Sequence, residues 1–237
     1  MFNARDCTVM GIIAGTIILG GCSRRQQVPP VATPSIAPPA AAARVSGRDG
    51  PPLALTQIGT SAAALFDSAQ ASKWPDAAAS VQALKESASA LPSAGLKPDL
   101  DALLRSRIHD LDGSVKARRR VHSMDVSNRI TLIVADLSAP YQAELPYKIV
   151  LLDYYGRQLE LGLAASRPST LTQATADLRQ TWNSIEPSIL RRGHVEDARR
   201  FTDIVVEIEG ARRPADFVAP VRAELAAVER LDKIFTP

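Results

Sequence analysis

From Ala54 to the C-terminus, apolar side chains recur at intervals of three and four residues, run after run, each closed by proline, glycine or polar residues. That spacing puts them on one face of a helix with about 3.6 residues per turn, not on alternate sides of a strand. Ile58, Ala62, Leu65 and Ala69 form the first face, ending near Trp74. Ala77, Val81, Leu84, Ala88 and Leu91 form the second, opened by Pro75 and stopped by Pro92, Ser93 and Gly95. Leu100, Leu103, Leu104 and Ile108 follow within 98–111. Val115, His122, Val126, Ile130, Ile133 and Leu137 follow within 113–137, ahead of Pro140. Leu145, Ile149, Leu152, Gly156, Leu159 and Leu163 run up to Pro168, and Leu171, Thr175, Leu178, Trp182 and Ile185 mark the next face. The last two faces fall at about 194–209, with Ala198, Phe201, Val205 and Ile208, and about 216–235, with Val221, Leu225, Val228 and Leu231.

Two segments, Asn128–Ala135 and Phe201–Ile208, are rich in β-branched residues, which favour strands. Both continue helical stripes begun upstream, so helix is expected for each. The expectation is an all-α fold: a single bundle-like domain of seven or eight amphipathic helices over residues 54–237. Internal similarity is faint. Residues 119–125 (RRVHSMD) parallel 191–197 (RRGHVED), and each helix leading toward one of these segments is expected to close on a tryptophan, Trp74 or Trp182. A duplicated helical hairpin and chance likeness between amphipathic helices both account for this.

Ahead of the domain the composition changes. Residues 23–52 hold seven prolines, many alanines and almost no large apolar groups, so they cannot form a core. Proline fixes φ and lacks an N–H donor, which predicts a disordered, extended tether over 22–53. At about 3.1 Å per residue such a segment reaches on the order of 90 Å. The charge follows the same division. The net charge is +3, yet residues 1–53 carry Arg5, Arg24, Arg25, Arg44 and Arg48 against Asp6 and Asp49, leaving 23 basic and 23 acidic residues in the domain. A nucleic-acid partner requires a concentrated basic footprint on the fold, so none is expected.

The first 22 residues carry a short polar start with Arg5, an apolar run from Val9 to Leu19, and then Gly20, Gly21 and Cys22. The apolar run is too short for a spanning helix and suits the core of a signal peptide. Leu19-Gly20-Gly21-Cys22 resembles the lipobox of bacterial lipoproteins. The resemblance implies removal of residues 1–21 and lipidation of Cys22, with palmitate among the acyl chains, as the new N-terminus. Ser23 rather than an aspartate follows, which by the same resemblance implies an outer-membrane lipoprotein facing the periplasm. Several acyl chains, at about 0.8 kcal/mol per buried CH₂, suffice for stable attachment. Cys7 falls within the removed segment, so no disulfide, cysteine metal site or cysteine nucleophile is expected in the mature chain.

The domain offers little reactive chemistry. His122 and His194 occupy similar places on two helical stripes, and on facing helices they would offer imidazoles to one metal or haem. The remaining parts of such a site are missing: there is no His-Glu-x-x-His, no Glu-x-x-His and no Cys-x-x-Cys-His. Core-edge histidines paired with Asp125 and Asp197 three residues on are the simpler expectation, with no metal and no cofactor. Asp110 and Asp112 before Gly113 hint at a calcium loop without its later ligands, and a helix boundary at Gly113–Ser114 accounts for them. Neither Gly-x-Ser-x-Gly nor a phosphate-binding glycine loop occurs, so an enzyme is not expected.

Surface-forming residues are more distinctive. Tyr141, Tyr147, Tyr154 and Tyr155 are the only tyrosines, and Tyr147 and Tyr154 share a helical face. Packing at a bundle seam explains them, as does a groove for an apolar ligand or a partner surface. Trp74 and Trp182 are expected in the core near helix ends, with the same alternative. Arg191 and Arg192, like Arg118–Arg120 and Arg212–Arg213, fit a solvated surface or an anion-facing patch. The expected function is a non-enzymatic binding or structural module of an envelope protein complex, attached to the bacterial membrane by its N-terminal lipid. The alternative is a periplasmic binder of a metal, haem or small apolar ligand within the bundle.

Overall fold

A computed structural model describes residues 51–92, 96–141 and 144–235. The lipobox-like residues 19–22, with Cys22, and residues 23–50 of the expected tether lie outside them. Among the described residues there are eight α-helices and no strands: α1 (Leu53–Gln70), α2 (Trp74–Ala90), α3 (Pro98–Lys116), α4 (Arg120–Ser138), α5 (Glu144–Ala164), α6 (Pro168–Arg191), α7 (Val195–Gly210) and α8 (Pro214–Phe235). A single 3₁₀ turn, Ala139–Tyr141, follows α4. Both β-branched segments are helical, inside α4 and α7, because their burial on helical stripes outweighs a weak local preference.

Proline opens several of the helices. Pro75, Pro98 and Pro168 sit in the first turns of α2, α3 and α6, where the missing N–H would have had no partner. Four junctions then share one geometry. Ser72, Arg118, Ser166 and Gly193 adopt positive φ of 57°, 52°, 53° and 88°, and each lies two residues before a new helix. In each, the residue after the left-handed one donates its N–H five residues back: Lys73 to Ser68, Arg119 to Ser114, Arg167 to Gly162 and His194 to Ile189. These bonds satisfy the last carbonyls of one helix and reverse the chain within three residues. Only Gly193 adopts this conformation without a Cβ penalty.

Helix α3 runs through Gly113 and Ser114 to Lys116, so the boundary expected at Gly113 is displaced to Ala117–Arg119. Ser114 is buried and bonded to the Leu111 carbonyl and to Ser123 Oγ, which holds α3 against α4 instead of capping a new helix.

The helices close into two rings. In the first, α1 packs on α2, α2 on α3, α3 on α4 and α4 on α1; in the second, α5 to α8 repeat that order, with α8 returning to α5. Short reversals make successive helices antiparallel. Each ring has its own core. Phe66, Leu84, Leu104, Met124 and Ile130 fill the first, and Leu152, Trp182, Phe201, Val205 and Val228 the second. The rings belong to one compact unit and join where α4 packs on α5, with Leu161 of α5 reaching into the first core. The sequence likeness of 119–125 and 191–197 falls at the starts of α4 and α7, the fourth helix of one ring and the third of the other. It is also three residues out of register with the turns at Arg118 and Gly193. A hairpin duplication in that register therefore has no counterpart in the ring order.

Candidate functional site

The face that carries the most chemistry lies at the seam between the rings. Helices α1, α4, α5 and α8 line a groove of about 700 Å³, within the range of roughly 300–1,000 Å³ usual for small-ligand sites. Leu55 and Ala63 of α1, Val134 of α4, Ile149 of α5, and Leu225 and Val228 of α8 supply its apolar walls. Its charged lining is one-sided: Asp67, Asp153, Glu160, Glu229 and Asp232 against Arg157.

Arg157 ties the seam together. Its Nη1 donates to Asp67 Oδ1 on α1 at 2.7 Å, its Nε to Asp153 Oδ2 one turn back at 3.0 Å, and its guanidinium lies 4.9 Å from the Phe66 ring centre. Burial pulls the guanidinium down, but Asp153 and Asp67 more than offset this and raise it. Burial raises the Asp153 carboxyl against the opposing pull of Arg157, and it raises Glu160 against a hydrogen bond from Gln70.

Beneath this wall lies Glu224 of α8, with no exposed surface and no hydrogen-bond partner on either carboxylate oxygen. It fits because position 156 on α5 is glycine: a Cβ there would overlap the Glu224 carboxyl. Burial holds this acid well above the usual carboxylate range; repulsion from Asp153 and Glu160 adds to that, and Arg157 opposes it. A buried polar group without a partner is uncommon and destabilising. Leu225 lines the groove, and its Cδ2 reaches the same space above Gly156 that the Glu224 carboxyl occupies. Glu224 itself does not line the groove; the Leu225 side chain lies between its neighbourhood over Gly156 and the groove lining.

The residues singled out from sequence lie elsewhere and do not converge. Tyr147 donates its hydroxyl to Asp136 Oδ1 at 2.9 Å, joining α5 to α4, and burial with that bond raises it to about 12. Tyr154 and Tyr155 meet edge-on at 5.3 Å, and Asn128 Nδ2 donates to the Tyr154 carbonyl. Tyr147 and Tyr154 brace the α4–α5 contact, Tyr155 packs against the second core, and none lines the groove. Trp182 is fully buried mid-helix, not near a helix end, against Phe201, with its Nε1 donating to Thr202 Oγ1 at 2.9 Å. Trp74 opens α2 rather than closing a helix, and borders a separate depression of about 330 Å³ beside Val115 and Arg118. Arg191 donates to Ser188, and the Arg192 guanidinium lies 5.5 Å from the Phe235 ring centre.

His122 is exposed in the first turn of α4 and does not belong to that helix's buried stripe, since the helix starts at Arg120 and its buried face begins at Ser123 and Met124. His194 precedes α7, with Nδ1 3.6 Å from Asp197 and its ring edge-on to Phe235. Asp125 is bonded instead to Arg129. Among the described residues no group of three or more His, Cys, Asp or Glu side chains is arranged to hold a metal ion.

Glu224 escaped the sequence reading, although a signal was present. Phe217, Val221, Val228 and Leu231 are spaced so that 224 falls on the buried face, whereas Leu225, expected there, is only partly buried. In comparisons of sequence and of fold, no family model, no curated protein and no solved structure matches this chain.

Proposed function

We propose that the chain is a lipoprotein anchored at Cys22 in the bacterial outer membrane, whose helical domain is a non-enzymatic binding module facing the periplasm. The lipobox-like residues 19–22 and the Pro/Ala-rich segment after them support the anchor and spacer. Among the described residues, no helix is long and apolar enough to cross a membrane. The observation that carries the binding role is the seam groove, with its apolar walls and predominantly acidic charged lining. Its apolar walls favour a small ligand with an apolar body over the metal or haem alternative, since neither His122 nor His194 lines the groove.

Two measurements test the two parts. Cys22→Ser should abolish acyl labelling and detergent partitioning of the full chain, and unchanged labelling contradicts the anchor. A photoreactive decanol, offered to the lipidated chain in phosphatidylcholine vesicles, should form adducts on groove peptides of α1, α5 and α8. Ala226→Trp, at an exposed position on the groove wall, should suppress them. Adducts spread evenly over the chain contradict the binding role.

A further inference from the structure

We propose that the ligand of the seam groove is an amphiphilic amine, a small molecule with an apolar body and one ammonium group, which Glu224 receives together with Asp153 and Glu160. This rests on the binding role assigned to the groove above. Two independent observations point to a cation. The groove lining carries five carboxylates and one guanidinium; Arg157 is held by Asp67 and Asp153, Glu229 is paired with Lys233, and acids still outnumber these two cations. Separately, Glu224 is wholly buried with both oxygens unpartnered, and its carboxyl is aimed at the α5 wall over Gly156, beside Asp153 and Glu160.

An ammonium group has three N–H donors and no acceptor, matching oxygens that lack donors. A carboxylate ligand would meet repulsion at the same place, and a neutral alcohol would leave the site's acidity unused. Displacement of the Leu225 side chain exposes Glu224 to the groove, while Leu55, Val134 and Ile149 cover the ligand's apolar body. Proton balance is simple. Burial raises the Glu224 carboxyl and so favours its protonated form before binding. As the ammonium enters, that proton passes to solvent and a carboxylate–ammonium pair remains. The ligand keeps its own protons, and no covalent bond of the ligand is made or broken.

The test uses the full lipidated chain in phosphatidylcholine vesicles with three photoreactive probes of equal chain length: decylamine, decanol and decanoate. Adducts are mapped by mass spectrometry. Groove labelling by the amine should exceed that by the alcohol and the carboxylate by about tenfold or more, equivalent to about 1.4 kcal/mol. Glu224→Gln, which keeps shape and lacks charge, should reduce amine labelling to the alcohol's level and leave alcohol labelling unchanged. Equal labelling by amine and alcohol, or undiminished amine labelling in Glu224→Gln, overturns the amine assignment while the groove stands. Failure of all three probes to label the groove overturns the binding role as well.

Discussion

At the scale of single residues, the domain's least compensated group is Glu224. Replacing it with leucine removes two buried oxygens without partners, and should raise stability by about 1–3 kcal/mol in denaturant unfolding. A loss of stability would show that the carboxyl has partners in solution. The same residue sets a pH dependence. Its folded-state pKa is raised, so the native chain holds this proton more tightly than the unfolded chain does. The resulting stability is full below the ordinary glutamate range and is lost as pH rises through the elevated value. Glu160 and Asp153 act in the same direction, with Arg157 opposing all three. Unfolding midpoints of the wild type should therefore fall on going from about pH 4.5 to pH 8, and Glu224→Leu should flatten part of that slope. An unchanged slope would contradict the burial of an uncharged acid. Gly156→Ala forces a Cβ into the space of the carboxyl and should destabilise by about 1–3 kcal/mol, but by clearly less in a Glu224→Ala background.

At the scale of helices, stability depends on stripes and on turns, and the two differ in how well they can be read. Leu152, fully buried on α5, should cost about 2–5 kcal/mol when cut to alanine. The stripes were legible because burial of one helical face dictates apolar spacing, as at Ala77–Val81–Leu84–Ala88 and Leu171–Leu178–Trp182–Ile185. The turns were less so. Ser72, Arg118 and Ser166 hold the left-handed conformation without a glycine to signal it, whereas Gly113, which resembles a stop, lies inside α3 on an open face that tolerates it. Ser72→Gly and Ser166→Gly should each stabilise by up to about 1 kcal/mol, since the Cβ penalty disappears. Destabilisation in thermal melts would show that these turns take another form in solution.

At the scale of the whole molecule, eight similar stripes specify that helices pack but not which helix meets which. The all-α class and the number of helices were legible; the pairing of α4 with α1 and of α8 with α5, which makes two rings, was not. The groove exists only because those rings meet, so its lining comes from helices more than 150 positions apart in the chain, from Leu55 to Asp232. No local motif marks such a site. Its acids sit at ordinary intervals along amphipathic helices, where single charges usually denote a solvated face. Only Glu224, a charge on an apolar stripe, departs from that pattern, and its meaning depends on Gly156 of another helix. Arg157→Met should loosen the seam, leaving Asp67 and Asp153 without their shared guanidinium and speeding amide exchange in α1 and α5.

The central claim is that this seam is where the protein binds its ligand. A photoreactive amino acid placed at Ala226 on the groove wall, and in a second strain at the exposed Val206 of α7, tests this on the full chain in living cells. The account predicts a small-molecule adduct of one defined mass at position 226 that is absent at position 206. The same adducts at both positions, or none at 226, would contradict it.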